Sequence, residues 1–324
     1  MRNIFILLFF FINVILLCAQ NNLKFGKDGK FKIVQFTDIH WTPGHESTPM
    51  IKRGMERILD TEKPDLVVIT GDYIHGTPVM KGIDEVFEPI VLRKIPFATI
   101  FGNHDSEYGK TKEEILEHLK TIPGNLTTTV EGVPGMSNYV LPVIESGSDK
   151  EGAFLYFFDS HSYSDIENFN SYGWIKPEQV EWYLKSSKFY NPLRLPSLAF
   201  LHIPLPEYKY AAANEKSPLI GVRREPVCAP EMNTGLFAAM IQCGDMMGVF
   251  AGHDHVNDFI TVWNGIALAY GRFSGSGSTY CDIPEGAGAR IIELKEGERK
   301  FTTWIRLANL QKVNTVIYPI DLIR

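Results

Sequence analysis

Short apolar runs alternate with helix-like patterns along the first hundred residues. The stretches at residues 31–36, 66–70 and 97–101 have the length and apolar character expected of buried strands. Between them, apolar side chains recur at helical spacing over residues 49–59 and 83–92. This alternation predicts βαβ units and a parallel sheet at the centre of the fold.

The second half of the chain continues this alternation and then becomes richer in strand patterns. The predicted elements are strands at residues 153–158, 197–201 and 247–251, helices over 177–184 and 234–242, and hairpin strands at 259–263, 267–270, 290–294 and 300–305. Asn264-Gly265 and Glu296-Gly297 provide the hairpin turns. We therefore expect an α/β fold of two packed sheets flanked by helices, in a single domain of residues 20–324. Residues 204–233, rich in Pro, Tyr and charge, are predicted to form an ordered cap.

The first 19 residues have the pattern of a signal peptide. A short basic start precedes an apolar run that is too short for a comfortable membrane span, and a small residue, Ala19, follows. We expect cleavage, export to a periplasmic or secreted location, and no membrane span afterwards. An uncleaved anchor and a lipoprotein acylated at Cys18 are the weaker alternatives. The remaining cysteines, Cys228, Cys243 and Cys281, allow at most one internal disulfide.

Composition limits the class of partner. The chain has 324 residues, of which 44% are hydrophobic, and a formal net charge of −6. An acidic balance argues against binding to a nucleic acid backbone, so no nucleic acid partner is expected. An acidic protein can still bind a small phosphorylated substrate, because bound metal ions reverse the charge locally. The oligomeric state is left open.

Five short polar clusters each follow an apolar run and contain Asp, Asn or His. They are Asp38-Ile39-His40, Gly71-Asp72, Gly102-Asn103-His104-Asp105, His202 and Gly252-His253-Asp254-His255. In parallel sheets, ligands bind at the carboxyl ends of the strands, which is where these clusters fall. Oxygen and imidazole donors suit hard to borderline metal ions. The clusters together predict one metal site.

The spacing within two clusters supports the same interpretation. Side chains two apart in an extended segment point the same way, so Asp38 and His40 share a face, as do His253 and His255. Each of these residues taken alone is more often a turn residue, a helix cap or a hydrogen-bonded core histidine. Turn chemistry does not explain why five of the nine histidines fall in these clusters.

The order of the five clusters resembles that of the calcineurin-like metallophosphoesterase superfamily. The stretches FKIVQFTDIHW, EKPDLVVITGD, FGNHD and FAGHDHVNDF are most similar to a branch related to purple acid phosphatases. The resemblance covers residues 31–306 and implies a four-layer αββα sandwich of two mixed β-sheets.

The resemblance also implies a role for each ligand-type residue. Asp38, His40 and His255 would hold one metal, Asn103, His202 and His253 a second, and Asp72 would bridge both. His104 would act as the general acid, a role that is often worth about 10²–10⁴ in rate. The family implies two ions of Fe, Mn or Zn, and the ligand types do not choose among them.

Two positions depart from the purple acid phosphatase pattern. His40 stands where those enzymes have Gly, and His75 stands where they have a metal-bound Tyr. The usual partner of the catalytic histidine is also missing, so Asp105 and His75 are the candidates to orient His104 and to contact substrate. Arg272 follows a strand and is a candidate contact for a substrate phosphate, with a surface salt bridge as the equal alternative.

The function implied by the resemblance is an exported hydrolase of phosphate esters, in which a hydroxide between the two metals attacks the phosphorus in line. One alternative is a phosphodiesterase or pyrophosphohydrolase acting on nucleotides or lipid head groups. The other is an inactive relative that binds a phosphorylated ligand without turnover.

Overall fold

The structure is a computed structural model that describes residues 23–281 and 283–323. The predicted signal peptide lies outside the described residues. The strands are β1 Lys30–Thr37, β2 Leu66–Thr70, β3 Phe97–Ile100, β4 Tyr139–Ile144, β5 Glu151–Phe157, β6 Ser197–Phe200, β7 Met246–Ala251, β8 Ile260–Trp263, β9 Ile266–Tyr270, β10 Arg272–Phe273, β11 Gly288–Lys295, β12 Phe301–Leu307 and β13 Lys312–Tyr318. The helices are α1 Thr48–Glu62, α2 Val79–Leu92, α3 Lys112–Leu119, α4 Pro177–Tyr190, α5 Glu207–Ala213 and α6 Leu236–Cys243.

Two mixed sheets form the centre of the molecule. The first has the order β13-β12-β11-β1-β2-β3, and β10 pairs with the carboxyl end of β1. The second has the order β4-β5-β6-β7-β9-β8. Strands β1, β2 and β3 run parallel in the first sheet, and β5, β6, β7 and β9 run parallel in the second. The predicted α/β class with two mixed sheets flanked by helices is confirmed.

The strand sequences place the sheets between helix layers. Along β1, Phe31 and Ile33 belong to a core shared with the second sheet, whereas Val34 and Phe36 pack among the apolar side chains of α1 and α2. This alternation follows from the two-residue period of a strand. Because both faces of β1 are buried, its sequence is an almost continuous apolar run.

Several elements lie outside the prediction. Strand β4 contains Pro142, which lowers its strand signal, and β4 sits at the edge of its sheet, where proline is tolerated. Residues 204–233 contain helix α5, and Ile220 and Arg223 pair with Ile260 and Asn257. The segment is therefore ordered against the loop that follows His255; its role as a cap stays a prediction.

Two further observations concern the termini and the cysteines. Within the described ranges, no helix is long and apolar enough to cross a membrane. Cys228, Cys243 and Cys281 form no disulfide with one another in the structure, although the sequence allowed one.

Candidate metal centre

The five clusters meet where the carboxyl edges of the two sheets come together. Asp38, Asp72 and Asn103 follow β1, β2 and β3 of the first sheet, and His202 and His253 follow β6 and β7 of the second. All seven predicted ligand side chains are buried, with exposures of 8% or less. The packing of one sheet on the other thus brings together residues up to 217 positions apart, from Asp38 to His255.

The first group of donors consists of Asp38, His40 and His255. The Nε2 atoms of His40 and His255 lie 3.1 Å apart. Asp38 Oδ1 lies 3.6 Å from His255 Nε2 and 4.0 Å from His40 Nε2. One ion with ligands at about 2.1 Å brings its donors within such distances of one another, so this group fits a metal.

The second group consists of Asp72, His202 and His253. Asp72 Oδ2 lies 3.2 Å from His202 Nε2, and Asn103 Oδ1 lies 3.0 Å from the same nitrogen. Asp72 Oδ2 is also only 3.7 Å from His40 Nε2 of the first group. This oxygen therefore faces donors of both groups, as a bridging ligand must.

Burial and neighbouring charges shift the pKa values of the ligand side chains. Burial would raise the pKa of Asp38, but the hydrogen bond from His255 and the charges of His202 and His255 lower it to about 2. For His202, burial is outweighed by the negative charge of Asp72, which raises the pKa to about 9. Burial lowers the pKa of both His40 and His253 to about 3. Metal ions binding here would displace protons from the histidines that are charged.

Backbone carbonyls orient two of the histidines. His202 Nδ1 donates to Thr70 O at 2.7 Å, and His255 Nδ1 donates to Tyr280 O at 2.8 Å. These bonds keep a hydrogen on Nδ1 and turn Nε2 towards the other ligands, so Nε2 is the nitrogen that would bind a metal after losing its proton. Neither carbonyl could be identified from a residue pattern, because a carbonyl is present at every position.

The backbone at the ligands is strained. Asp38, His40, Asp72 and His253 have φ values of 51°, 46°, 51° and 79°, in the left-handed region. Side chains other than Gly adopt this region mostly where the surroundings enforce it, often at functional sites. Asp38 and His40 were predicted to share one face of an extended segment. The segment is not extended at these residues, so the reason given for that prediction is wrong. Both side chains reach the same group through tight turns.

Close backbone approach explains two of the glycines. A Cβ on Gly102 would lie 2.1 Å from Asp72 Oδ1, and a Cβ on Gly252 would lie 2.0 Å from Thr37 Oγ1 and 2.9 Å from Asp38 Oδ2. Any side chain at either position would displace a ligand carboxylate or the threonine that bonds to it.

His104 lies next to both groups, and its partner is a residue that the sequence analysis missed. Its Nδ1 is 2.7 Å from Glu107 Oε2. Its ring centroid lies 5.6 Å from that of His40 and 6.0 Å from that of His75. Since a carboxylate only accepts hydrogen bonds, Nδ1 carries the hydrogen and Nε2 is the nitrogen that remains for a substrate. The spacing of three residues between His104 and Glu107 was the available signal.

Asp105 has a different task from the one predicted. Its two carboxylate oxygens accept hydrogen bonds from the backbone N–H groups of Asp72, Tyr73, Ile74 and Gly102, at 2.7–3.3 Å. These four bonds tie the loop after β2 to the loop after β3 and so fix Asp72 relative to Asn103. Both oxygens of Asp105 are bonded to the backbone, and the carboxylate against the His104 ring is that of Glu107. Contact of Asp105 with a substrate stays a prediction.

Comparison with known proteins agrees with this geometry. Residues 31–257 match the family described as calcineurin-like phosphoesterase. The chain belongs to that family. This confirms the resemblance inferred from the order of the five clusters.

Curated relatives of this chain carry names of the purple acid phosphatase group. Two proteins of Arabidopsis thaliana, "Probable inactive purple acid phosphatase 14" and "Probable inactive purple acid phosphatase 29", are 31% and 35% identical, covering 92% and 78% of this chain and 82% and 74% of their own length. "Phosphatase DCR2" of Saccharomyces cerevisiae is 34% identical over 89% of this chain and 56% of its own length.

Solved structures show the same fold. A dimetal phosphatase from Danio rerio is 12% identical, with a TM-score of 0.62 over 89% of this chain and 98% of that chain. Purple acid phosphatase PPD1 from yellow lupin seeds is also 12% identical, with a TM-score of 0.56 over 90% of this chain and 54% of that chain. A metal centre of two ions is compatible with the two buried groups of this chain.

Arg272 is not placed as the sequence predicted. Its side chain is 1% exposed, and its Nη1 lies 2.6 Å from Asp258 Oδ2. Its Nε and Nη2 both donate to Gly286 O. Its hydrogen bonds thus go to protein groups, and the exposed Glu285 lies further away, with Oε2 3.8 Å from Nη2. The main contact is therefore the buried Asp258 and not a surface salt bridge, and contact with a substrate phosphate stays a prediction.

Tyrosine side chains border the candidate metal centre. Tyr163 Oη accepts a hydrogen bond from Asn103 Nδ2 at 3.1 Å. Tyr172 packs its ring against His253, with centroids 4.4 Å apart, and Tyr280 stacks on His255, with centroids 4.3 Å apart. The sequence analysis did not predict these contacts, because the three tyrosines lie on irregular segments whose positions depend on long-range packing.

Proposed function

We propose that this protein hydrolyses phosphate esters with two metal ions held by the seven ligand side chains. The observation that carries the proposal is the position of Asp72 Oδ2, 3.2 Å from His202 Nε2 and 3.7 Å from His40 Nε2. A single carboxylate oxygen between two buried histidine-aspartate groups is the arrangement required for two adjacent metals. When bound, such ions supply a water-derived nucleophile near neutral pH and offset the charge of the phosphate.

The protein side chains divide the remaining work. Asp38, His40 and His255 would hold one ion, Asn103, His202 and His253 the other, and Asp72 both. In the hydrolysis, the bond from phosphorus to the leaving oxygen breaks, and its electron pair stays on that oxygen. His104, with Nδ1 bonded to Glu107, would give the leaving oxygen a proton from Nε2. Water is the second reactant.

Two of the Arabidopsis relatives named above carry the word "inactive" in their names. Activity in the present chain is supported by its own side chains. All seven ligand-type residues are buried together. His104 lies beside them, and the carboxylate of Glu107 contacts its Nδ1. We therefore favour turnover over the binding of a phosphorylated ligand without catalysis.

The test uses purified protein that has been stripped with a chelator and then reloaded with Mn²⁺, Fe²⁺ or Zn²⁺. We expect hydrolysis of 4-nitrophenyl phosphate only after reloading, with bis(4-nitrophenyl) phosphate as the diester for comparison. Preference for the diester would move the assignment to a phosphodiesterase. Failure to hydrolyse either compound, in protein shown to contain two metals, would contradict the proposed function.

We also propose that the protein is exported. Export is supported by the apolar run in residues 1–19, which has the pattern of a signal peptide. N-terminal sequencing of protein recovered from the culture medium or periplasm is expected to begin near Gln20. A mature protein that retains Met1 would contradict cleavage.

A further inference from the structure

Three aromatic rings lie on the side of the metal centre where His104 stands. The ring of His75 is 6.0 Å from that of His104, and the ring of Tyr108 is 5.2 Å from that of His75, between centroids in both cases. Tyr163 is bonded through Oη to Asn103, the residue before His104. We call His75, Tyr108 and Tyr163 the aromatic group.

Tyr163 is the most exposed member of the aromatic group, and the structure holds it in place. Tyr163 is 52% exposed. Residues 163 and 172 form a β-bridge, and Ser164 N donates to Ser171 O at 2.9 Å, which fixes the base of the loop that carries Tyr163. A ring that is both exposed and already ordered can bind a ligand without a large loss of conformational entropy.

The charge near this group is already compensated. Lys110, two residues before α3, pairs with Glu114 at 2.7 Å, and Lys112 pairs with the buried Asp159 at 3.2 Å. These two lysines are therefore committed to carboxylates of the protein. The rings of His75 and Tyr108 meet edge-on at 72°, and the ring of Tyr163 stacks on that of Tyr172 with centroids 6.0 Å apart. This side of the centre therefore offers ring faces and edges rather than a site for a second anionic group.

We propose that the aromatic group binds the leaving group of the substrate and that this leaving group contains a planar aromatic ring. The inference rests on the proposed function, because the general acid must contact the oxygen that departs. A leaving group that receives its proton from His104 necessarily lies beside the residues around His104. Offset or edge-on contact with tyrosine rings then favours an aromatic ring over an aliphatic one.

Two matched pairs of substrates test the proposal. Benzyl phosphate and cyclohexylmethyl phosphate both release a primary alkoxide and have similar size, but only the first has an aromatic ring. Adenosine 5′-monophosphate and ribose 5-phosphate release the same ribose alkoxide and differ in the base. We expect kcat/KM to be about three- to tenfold higher for the aromatic member of at least one pair. The pair that shows the preference locates the ring relative to the ester oxygen.

Variants assign the preference to the tyrosine ring. Tyr163→Leu should bring the ratio of kcat/KM within the preferred pair close to one, mainly through a higher KM for the aromatic member. Tyr163→Phe removes the hydroxyl that binds Asn103 but retains the ring, and should keep the ratio. Tyr210→Leu is the control, because Tyr210 is 58% exposed on α5 and its ring contacts Trp263 instead of the metal centre. The metal content of each variant is measured alongside.

The outcomes separate this inference from the function on which it rests. Hydrolysis of both members of both pairs at equal kcat/KM would overturn the aromatic subsite and leave the phosphoesterase function intact. A ratio that persists in Tyr163→Leu would also overturn it. Absence of hydrolysis for all four compounds and for 4-nitrophenyl phosphate would instead be a failure of the proposed function.

Discussion

The ligand side chains and the tyrosines around them differ in how the chain holds them. The seven ligands are buried and lie just after strands of both sheets. The side chains of Asp38, Asp72 and His202 are also bonded to backbone groups at neighbouring strand ends. The tyrosines Tyr163, Tyr172 and Tyr280 lie on irregular segments, and two of them are more than half exposed. The ligands are therefore fixed by the fold itself, whereas the surrounding surface depends on loops.

This difference indicates where chemistry and specificity reside. Ligands at strand ends can be displaced only by moving a sheet, so the reaction type follows from the fold and these few residues. Loop residues can change without disturbing the sheets, so relatives with the same metal centre can take different substrates. Predictions about the ligands should show large effects on all substrates, and predictions about the surroundings should show smaller and substrate-dependent ones.

The largest effect is expected for Asp72→Asn. The amide cannot supply the negative charge that faces donors of both groups, so we expect loss of metal and a fall in kcat/KM of more than about 10³, beyond the 10–100-fold typical of outer-shell changes. Metal analysis and hydrolysis of 4-nitrophenyl phosphate measure both. Asp84→Asn is the control, since Asp84 pairs with His118 at the surface. Full metal content in Asp72→Asn would refute the bridging role.

His104→Ala should slow the reaction without removing metal. We expect kcat for alkyl phosphates to fall by about 10²–10⁴, and by less for 4-nitrophenyl phosphate, whose leaving group needs little protonation. His118→Ala serves as the control, because His118 bonds to Asp84 on the outer helices. Loss of one metal ion from His104→Ala would show that this histidine is a ligand and not the acid.

Arg272→Met tests whether Arg272 stabilises the fold through its buried ion pair with Asp258 or contacts a substrate phosphate. Removing the guanidinium leaves Asp258 buried without its cation, so the free energy of unfolding should fall by about 3–5 kcal/mol. KM should stay within about twofold, because Arg272 is not proposed to contact substrate. Denaturant unfolding and steady-state kinetics measure the two quantities.

The double variant Arg272→Met/Asp258→Leu removes both charges and should recover part of the lost stability. An increase in KM for Arg272→Met without loss of stability would instead restore the phosphate contact that the sequence suggested.

Features that depend on local sequence were predictable, and those that depend on distant contacts were not. The ligands follow apolar runs, so β1, β2, β3, β6 and β7 and the residues after them could be located from the sequence. The hairpin β8–β9 was predicted from Asn264-Gly265, and both residues adopt positive φ. The strand-end positions and residue types of the five clusters predicted a single metal site. How the ligands divide into two groups depends on the packing of one sheet on the other, and only the family resemblance supplied that division.

The errors have equally physical causes. Arg272 follows a strand and resembles a surface cation in the sequence. It lies in β10, however, which pairs with the buried β1, so its side chain is buried. Strand β13 is an edge strand with Asn314 at a φ of 53°, which interrupts its pattern. Glu107 was overlooked because a glutamate in a polar loop is usually solvated, and its contact with His104 appears only when the loop after β3 is folded.

The smallest effect on kcat, and the one that differs most between substrates, is expected for replacement of Glu107. Its carboxylate holds Nδ1 of His104 at 2.7 Å and so orients the ring. Both side chains are about one-third exposed, so solvent screens the pair and the effect should be modest. We expect Glu107→Ala to lower kcat for alkyl phosphates about tenfold, with little change for 4-nitrophenyl phosphate and unchanged metal content.

Conservative replacement separates positioning from general disruption of the loop. Glu107→Gln retains an oxygen that accepts from Nδ1 but lacks the charge, and should fall between the native protein and Glu107→Ala on alkyl phosphates. Glu117→Ala, which removes an exposed glutamate paired with Lys120 on α3, should leave both substrates unaffected. If Glu107→Ala slowed the two substrates equally, Glu107 would stabilise the loop and not the acid, and the orientation of His104 would have to come from elsewhere.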